Sequence, residues 1–391
     1  MAAPDDDRGR SPLLAQCLVF FAFAMPIGVY PAGWPQERGA FGQSAAALGT
    51  LAVVYGIGRL ATSASSTVLL ARVSVRAVTV AVCLGLAAVE GLLGLTRAFP
   101  LLLAGIAVVG LTSGVLDSLG ARYQAEIRDV RRAGLMFGSY GVGATVGPAM
   151  VAVAGWTAGF ATAAAAATAA AIAAGRPGVA WPAGMGDRPP PRAERTATLD
   201  VRGVVLSLAL AASAVALEAG TGSWMATWFE DGRGTGASAA ALAVSGFWGG
   251  VTVGRLLLGR SRARAATILT RAPAAVLVGY VVVGVSPPPV AMVALVAVGA
   301  VQGVVFPTIL STTVDRVGRA AAGRVSGWQL LAANIGATSV IALIGVAVAR
   351  TGDMAPIVVL GAVALVAVPL CGRAAARVPA DEVAGPLAPP P

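Results

Sequence analysis

Five ionisable residues lie inside long apolar stretches of this chain: Arg59, Glu90, Asp117, Glu218 and Arg255. A charge at the centre of a lipid layer costs about 2.5–3.5 kcal/mol or more unless it is paired or hydrated, so such residues mark ion and solute paths. A carboxylate in a partly dried cavity takes up a proton more readily than one in bulk water, which is the physical basis of proton coupling. Counted along their helices, Arg59 sits about 21 Å and Asp117 about 26 Å from the entry end, and both helices run the same way. The two can therefore meet at one depth, and Asp117 stands either as a static partner of Arg59 or as a proton carrier. Glu218 lies beyond mid-span on a helix that runs the other way, whereas Arg255 lies near the end of its helix. These two are expected not to touch, which leaves Glu218 as the stronger site for a proton or a solute. Glu90 is expected near the outer side, against a loop or a neighbouring helix.

Around these charges stand uncharged groups that suit a solute cavity. Trp224 is six residues from Glu218, so it either looks into the cavity and stacks on a solute or belongs, with Trp228 and Trp248, to an interfacial belt. Gln302 and Asn334 either hydrogen-bond a solute or bridge helices. The chain has no histidine, and Cys17, Cys83 and Cys371 are scattered through apolar segments. Zinc ligation and Ser-His or Cys-His catalysis are thereby disfavoured. No cofactor, no metal and no enzymatic activity are expected, apart from coupling to protons. Gly141-Val-Gly143-Ala-Thr-Val-Gly147 has the glycines of a dinucleotide loop, but no strand precedes it and it falls mid-span.

The elements that position these residues follow from hydropathy. Mean hydropathy is +0.80 with 12% charged residues, too apolar for a soluble domain of this length. A hydrocarbon core of about 30 Å takes about 20 apolar residues per helix. Twelve such segments are expected at 13–33, 45–70, 77–96, 99–121, 134–155, 157–174, 203–229, 237–259, 266–286, 289–312, 325–349 and 354–372. The fold class is thus all-α, a polytopic membrane protein of twelve spans in two pseudo-symmetric bundles. The bundles take 13–174 and 203–372, a Pro/Arg-rich linker takes 175–202, and the tails take 1–12 and 373–391, the latter ending in Pro389–Pro391 and expected to be disordered.

All 28 cations are arginine, and 22 of them fall in alternate gaps between the segments. Arginine-rich loops stay cytoplasmic, so both termini are expected inside. The net charge of +10 belongs to these flanks and does not call for nucleic acid. Arginine without lysine, among heavy Ala, Gly and Val, points to a GC-rich bacterial genome and so to the bacterial inner membrane. The expected partners are the lipid bilayer and a small-molecule solute, with the chain acting as a monomer.

The halves repeat weakly. Ser44–Leu48 reads against Ser238–Leu242, Gly58-Arg59-Leu60 against Gly254-Arg255-Leu256, and Gly110 and Gly114 against Gly299 and Gly303. Together they support a duplicated six-helix unit. Ser139, Gly143 and Gly147, like Gly246, Gly250 and Gly254, form stripes of small residues for close helix contacts.

At these residues the chain resembles the major facilitator superfamily, and within it the fucose-permease-like sugar transporters. Glu218-Ala-Gly-Thr-Gly-Ser-Trp224 and Ser245-Gly-Phe-Trp-Gly-Gly-Val-Thr-Val-Gly-Arg255 are similar to that branch's seventh and eighth helices. Gly114-Val-Leu-Asp117, Tyr140–Pro148 and Phe306-Pro-Thr308 are similar to its fourth, fifth and tenth. Tyr140 and Arg255 join the cavity-lining candidates on this ground. The resemblance implies a permease that moves a sugar-like or other small organic solute by alternating access, coupled to protons. The chain departs from the branch in having no acid in its first helix, and Ala121 where an asparagine is usual. The Gly-Pro pattern of its fifth segment also resembles drug exporters, so proton-driven export of a drug or metabolite stands as an alternative, and a non-transporting receptor or scaffold as a further one.

Overall fold

The computed structural model describes residues 12–127, 130–179, 181 and 199–379. Most of the expected linker and the chain ends, with Pro389–Pro391, lie outside the described residues. The elements are α1 (Leu13–Glu37), α2 (Ala47–Arg72), α3 (Val75–Leu95), α4 (Phe99–Ile127), α5 (Val130–Gly175), α6 (Val201–Thr227), α7 (Ala237–Leu258), α8 (Ala265–Val285), α9 (Pro288–Ser311), α10 (Thr313–Val317), α11 (Arg319–Thr351) and α12 (Ala355–Ala375). A π-helical turn, Trp228–Gly232, extends α6.

Ten of these stretches are long and apolar enough to cross a membrane, and Ala47–Ser63 is a shorter apolar helix. Gly134–Gly175, 42 residues long, is two spans. Gly155 adopts φ 80°, ψ −177°, a conformation that a side chain disfavours, and the chain folds back there. Twelve crossing segments result, as hydropathy led one to expect. Local chemistry sets several ends. Ser74 caps α3 by accepting from the Ala77 amide at 3.3 Å, and Asp200 caps α6 by accepting from the Arg202 amide at 3.0 Å, as short polar side chains do at helix starts. Gly318, at φ 78°, separates α10 from α11. Helix α11 starts six residues before the expected 325, because Arg319–Arg324 is helical without being apolar. Helix α12 carries on through Arg373 to Ala375.

Glycines set the distance between helices inside each half. A Cβ at Gly58 would meet the Ala107 carbonyl at 2.7 Å, and one at Gly110 or Gly114 would strike the Tyr55 or Arg59 carbonyl. The second half repeats this crossing. Gly250 faces the Val296 carbonyl, Gly299 the Phe247 carbonyl and Gly303 the Val251 carbonyl. In that geometry Gly58 corresponds to Gly250 and Arg59 to Val251. The sequence match of Gly58-Arg59 with Gly254-Arg255 is therefore one helical turn out of register, since Gly-rich helices offer the same small residue every four positions. The match of Gly110 and Gly114 with Gly299 and Gly303 agrees with the packing. The small-residue stripes also pack within their own halves: Gly147 lies against the Met25 carbonyl, and Gly254 against the Ala300 carbonyl.

The two halves meet along a second set of contacts. Where α2 begins and α11 ends, Gly49 lies 3.3 Å (as a virtual Cβ) from the Ala342 Cα, and Gly345 2.9 Å from the Ala46 carbonyl. At mid-depth the Ser245 hydroxyl donates to the Thr145 carbonyl at 2.8 Å. The Gly49–Ala342 and Gly345–Ala46 contacts lie away from the arginine-rich face, on the side where Arg38 pairs with Asp231 at the rim, and α5 and α7 stay in contact as far inward as Gly141 and Thr252. The molecule is closed on the face opposite the arginines.

Candidate functional site: two ion pairs between the halves

Helices α2 and α4 approach closely enough for the Arg59 carbonyl to sit against Gly114, and the Thr62 hydroxyl donates across to the Leu111 carbonyl at 2.8 Å. Three residues beyond Gly114, Asp117 then faces Arg59. The Arg59 Nε donates to Asp117 Oδ2 at 2.6 Å, with the two side chains 21% and 29% exposed. The Tyr55 ring lies 6.0 Å from the guanidinium.

Glu218 and Arg255 do touch, against the expectation from sequence. Arg255 Nη2 donates to both carboxylate oxygens, at 2.7 and 2.8 Å. Depth counting failed because it set the inner ends of α6 and α7 level. In the structure Leu258, the last residue of α7, packs in one cluster with Leu210, well up α6, and Trp248 abuts Gly222. Helix α6 projects past α7, which brings Glu218 level with Arg255.

Tyr140 joins the two pairs. Its ring packs on Phe23 at 5.2 Å, and its phenol interacts electrostatically with Arg59 of one half and with Glu218 and Arg255 of the other. Tyr30 and Tyr55 also act on one another and on Arg59. Both pairs are partly exposed. Each salt bridge stays inside its own half.

Other candidates fall elsewhere. Trp224 is fully buried, and its indole donates to the Ile341 carbonyl at 3.0 Å. It neither lines the cavity nor belongs to a belt. Six residues turn a helix by about 600°, which leaves Trp224 about 120° around α6 from Glu218, on a different face. Trp228 and Trp248 are buried too. Gln302 takes the helix-bridging role: its amide donates to the Tyr280 hydroxyl at 2.7 Å, which bonds the Thr221 hydroxyl at 2.5 Å. With Ser213, Leu217 and Cys371 it also lines a small cavity inside the C-terminal half. Asn334 is half-buried on α11 and forms no hydrogen bond among the described residues. Glu90 is fully buried within the N-terminal half, on a face it shares with Leu86 and Leu93.

Sequence reasoning missed two features. Arg38 forks onto Asp231 at 2.5 and 3.0 Å across the halves. Nothing in a spacing of 193 residues signals it; the clue was only that both end the first helix of their half. Arg316 is buried and donates to Ser207, Thr312 and the Ile309 carbonyl, capping the end of α9 and tying it to α6. Burial pulls its guanidinium down to about 10, so it remains charged at neutral pH.

The Major Facilitator Superfamily family model matches residues 13–340. The chain belongs to the major facilitator superfamily. It is a transporter of the permease kind and not an enzyme. Solved superfamily structures share its fold. A bacterial homolog of the human lysosomal transporter Spinster, inward-facing and unoccupied, gives a TM-score of 0.73 at 14% identity over 95% of this chain and 97% of that one. A variant of the nucleoside transporter NupG gives 0.72 at 13% identity over 93% and 99%. FucP in the outward conformation gives 0.61 at 16% identity over 93% and 98%. No curated protein matches the chain at a significant level.

Proposed function

We propose that this permease moves a small, sugar-sized organic solute by alternating access, coupled to protons. It acts as a monomer in a bacterial inner membrane, with the arginine-rich face and both termini in the cytoplasm. The observation that carries the reading is the pair of salt bridges, one per half and each partly exposed. A proton on Glu218 removes the charge that holds Arg255. The released guanidinium then turns to the solute, so proton and solute occupancy depend on one another. The seal opposite the arginine-rich face supports an inward-facing member of the cycle. Rocking of the halves about this midplane site gives access from the other side.

The glycine-proline pattern of α5, which suggested export, has a packing role here: Pro148 lies where a side chain at Gly28 would have to go. A thermal-shift screen of the purified protein against sugars and antibiotics tests the reading, because a ligand that binds only the folded state raises Tm. A sugar-like solute should raise it, and Glu218→Gln should weaken that rise. Stabilisation by antibiotics alone would favour export instead.

A further inference from the structure

We infer that the transported solute is an organic anion whose carboxylate docks on the unused edge of Arg59. The inference deepens the permease reading and rests on it. Arginine and carboxylate fit best when two nitrogens meet two oxygens in a planar fork. This chain uses that fork where a charge pair serves as a clasp: Arg38 meets Asp231 through Nη1 and Nη2, at 2.5 and 3.0 Å. The two site arginines do otherwise. Arg59 meets Asp117 through Nε, at 2.6 Å, and among the described residues neither of its Nη groups bonds a carboxylate. Arg255 spends one nitrogen, Nη2, on both oxygens of Glu218, leaving Nε and Nη1 off that acid.

The surroundings select the ligand's charge. Asp117 is the carboxylate that acts on Arg59, and the other titratable groups around the guanidinium are the phenols of Tyr55 and Tyr140, with Tyr30 close by. A cation would be repelled by the guanidinium, beside which the Tyr55 phenol sits, and a neutral polyol would leave the fork half used. The pair is 21% and 29% exposed, so the edge is within reach of a dissolved ligand. A carboxylate there forms two parallel N–H···O bonds. One proton from bulk water on Asp117 or Glu218 balances its charge.

The test compares matched acids and amides on the purified protein by thermal shift: glucuronate with glucuronamide, lactate with lactamide, and benzoate with benzamide. A parallel arm uses glucose 6-phosphate to separate carboxylate from phosphate recognition. At least one acid should raise Tm while its amide and the phosphate do not. Arg59→Lys, which keeps the charge but loses the fork, should weaken the apparent affinity about tenfold. The charge-neutral double variant Arg59→Gln/Asp117→Asn should abolish the shift. Equal shifts by acid and amide, no shift by any acid, or an acid shift that survives the double variant would overturn the inference. Stabilisation by neutral amides or sugars alone would sink the anion while leaving the permease reading intact.

Discussion

Arg255 holds Glu218 through one nitrogen, at 2.7 and 2.8 Å, one helical turn from the position that corresponds to Arg59 in the other half. The duplicated bundles therefore carry arginines at staggered depths, about 6 Å apart along the axis. Each has an acid from a different neighbouring helix, α4 for Arg59 and α6 for Arg255. Glu218→Gln should remove proton-linked flux and leave Arg255 without its partner, at a cost of about 1–3 kcal/mol. Glu218→Gln/Arg255→Gln should regain most of that stability and none of the flux. Denaturation midpoints and flux on the same preparations check both halves of this expectation.

The Arg38–Asp231 clasp should set the balance between closed and open states of the face opposite the arginines. Arg38→Ala should favour opening by about 1 kcal/mol, or about fivefold in population. Labelling of Ala46→Cys by an impermeant maleimide would report the change, and the swap Arg38→Asp/Asp231→Arg should bring labelling back. Unchanged labelling in Arg38→Ala would deny the clasp its role.

Glycine contacts separate helices that stay together from surface that does not matter. Gly114→Ala and Gly303→Ala each push a methyl into a carbonyl of the crossing helix, and should destabilise by about 1–3 kcal/mol. Gly138→Ala, with open space around it, should be neutral or slightly stabilising. Thermal unfolding of the three variants decides the matter.

The twelve spans and both acid–arginine depths in the N-terminal half were legible because hydropathy and rise per residue report length along an axis. They do not report how far one helix slides past another. That slide is what made Glu218 and Arg255 look distant, and the Gly-x-x-x-Gly period is what let Arg255 pass for the repeat of Arg59. The face a side chain takes is equally hidden when both faces are apolar, as for Trp224. The buried Arg316 read as one more flanking cation, since its partners Ser207 and Thr312 carry no charge pattern.

Asp200 provides a pH test outside the membrane spans. The Gly203 amide, with Arg377 assisting, holds its carboxylate below the ordinary 3.8. A lowered acid stabilises the fold above its ordinary value and loses that contribution as pH falls through the lowered one. Asp200→Asn should therefore lower Tm slightly at pH 7, with the difference shrinking as pH falls below 3.8, as paired melting curves would show.

The central claim is that the two salt bridges couple a solute to protons. Proteoliposomes containing the protein and an internal pH dye, given the solute that the thermal screen selects, test it most directly. Wild-type vesicles should show a solute-dependent pH change that Glu218→Gln abolishes. Solute uptake with no pH change, or a pH change that persists undiminished in Glu218→Gln, would contradict it.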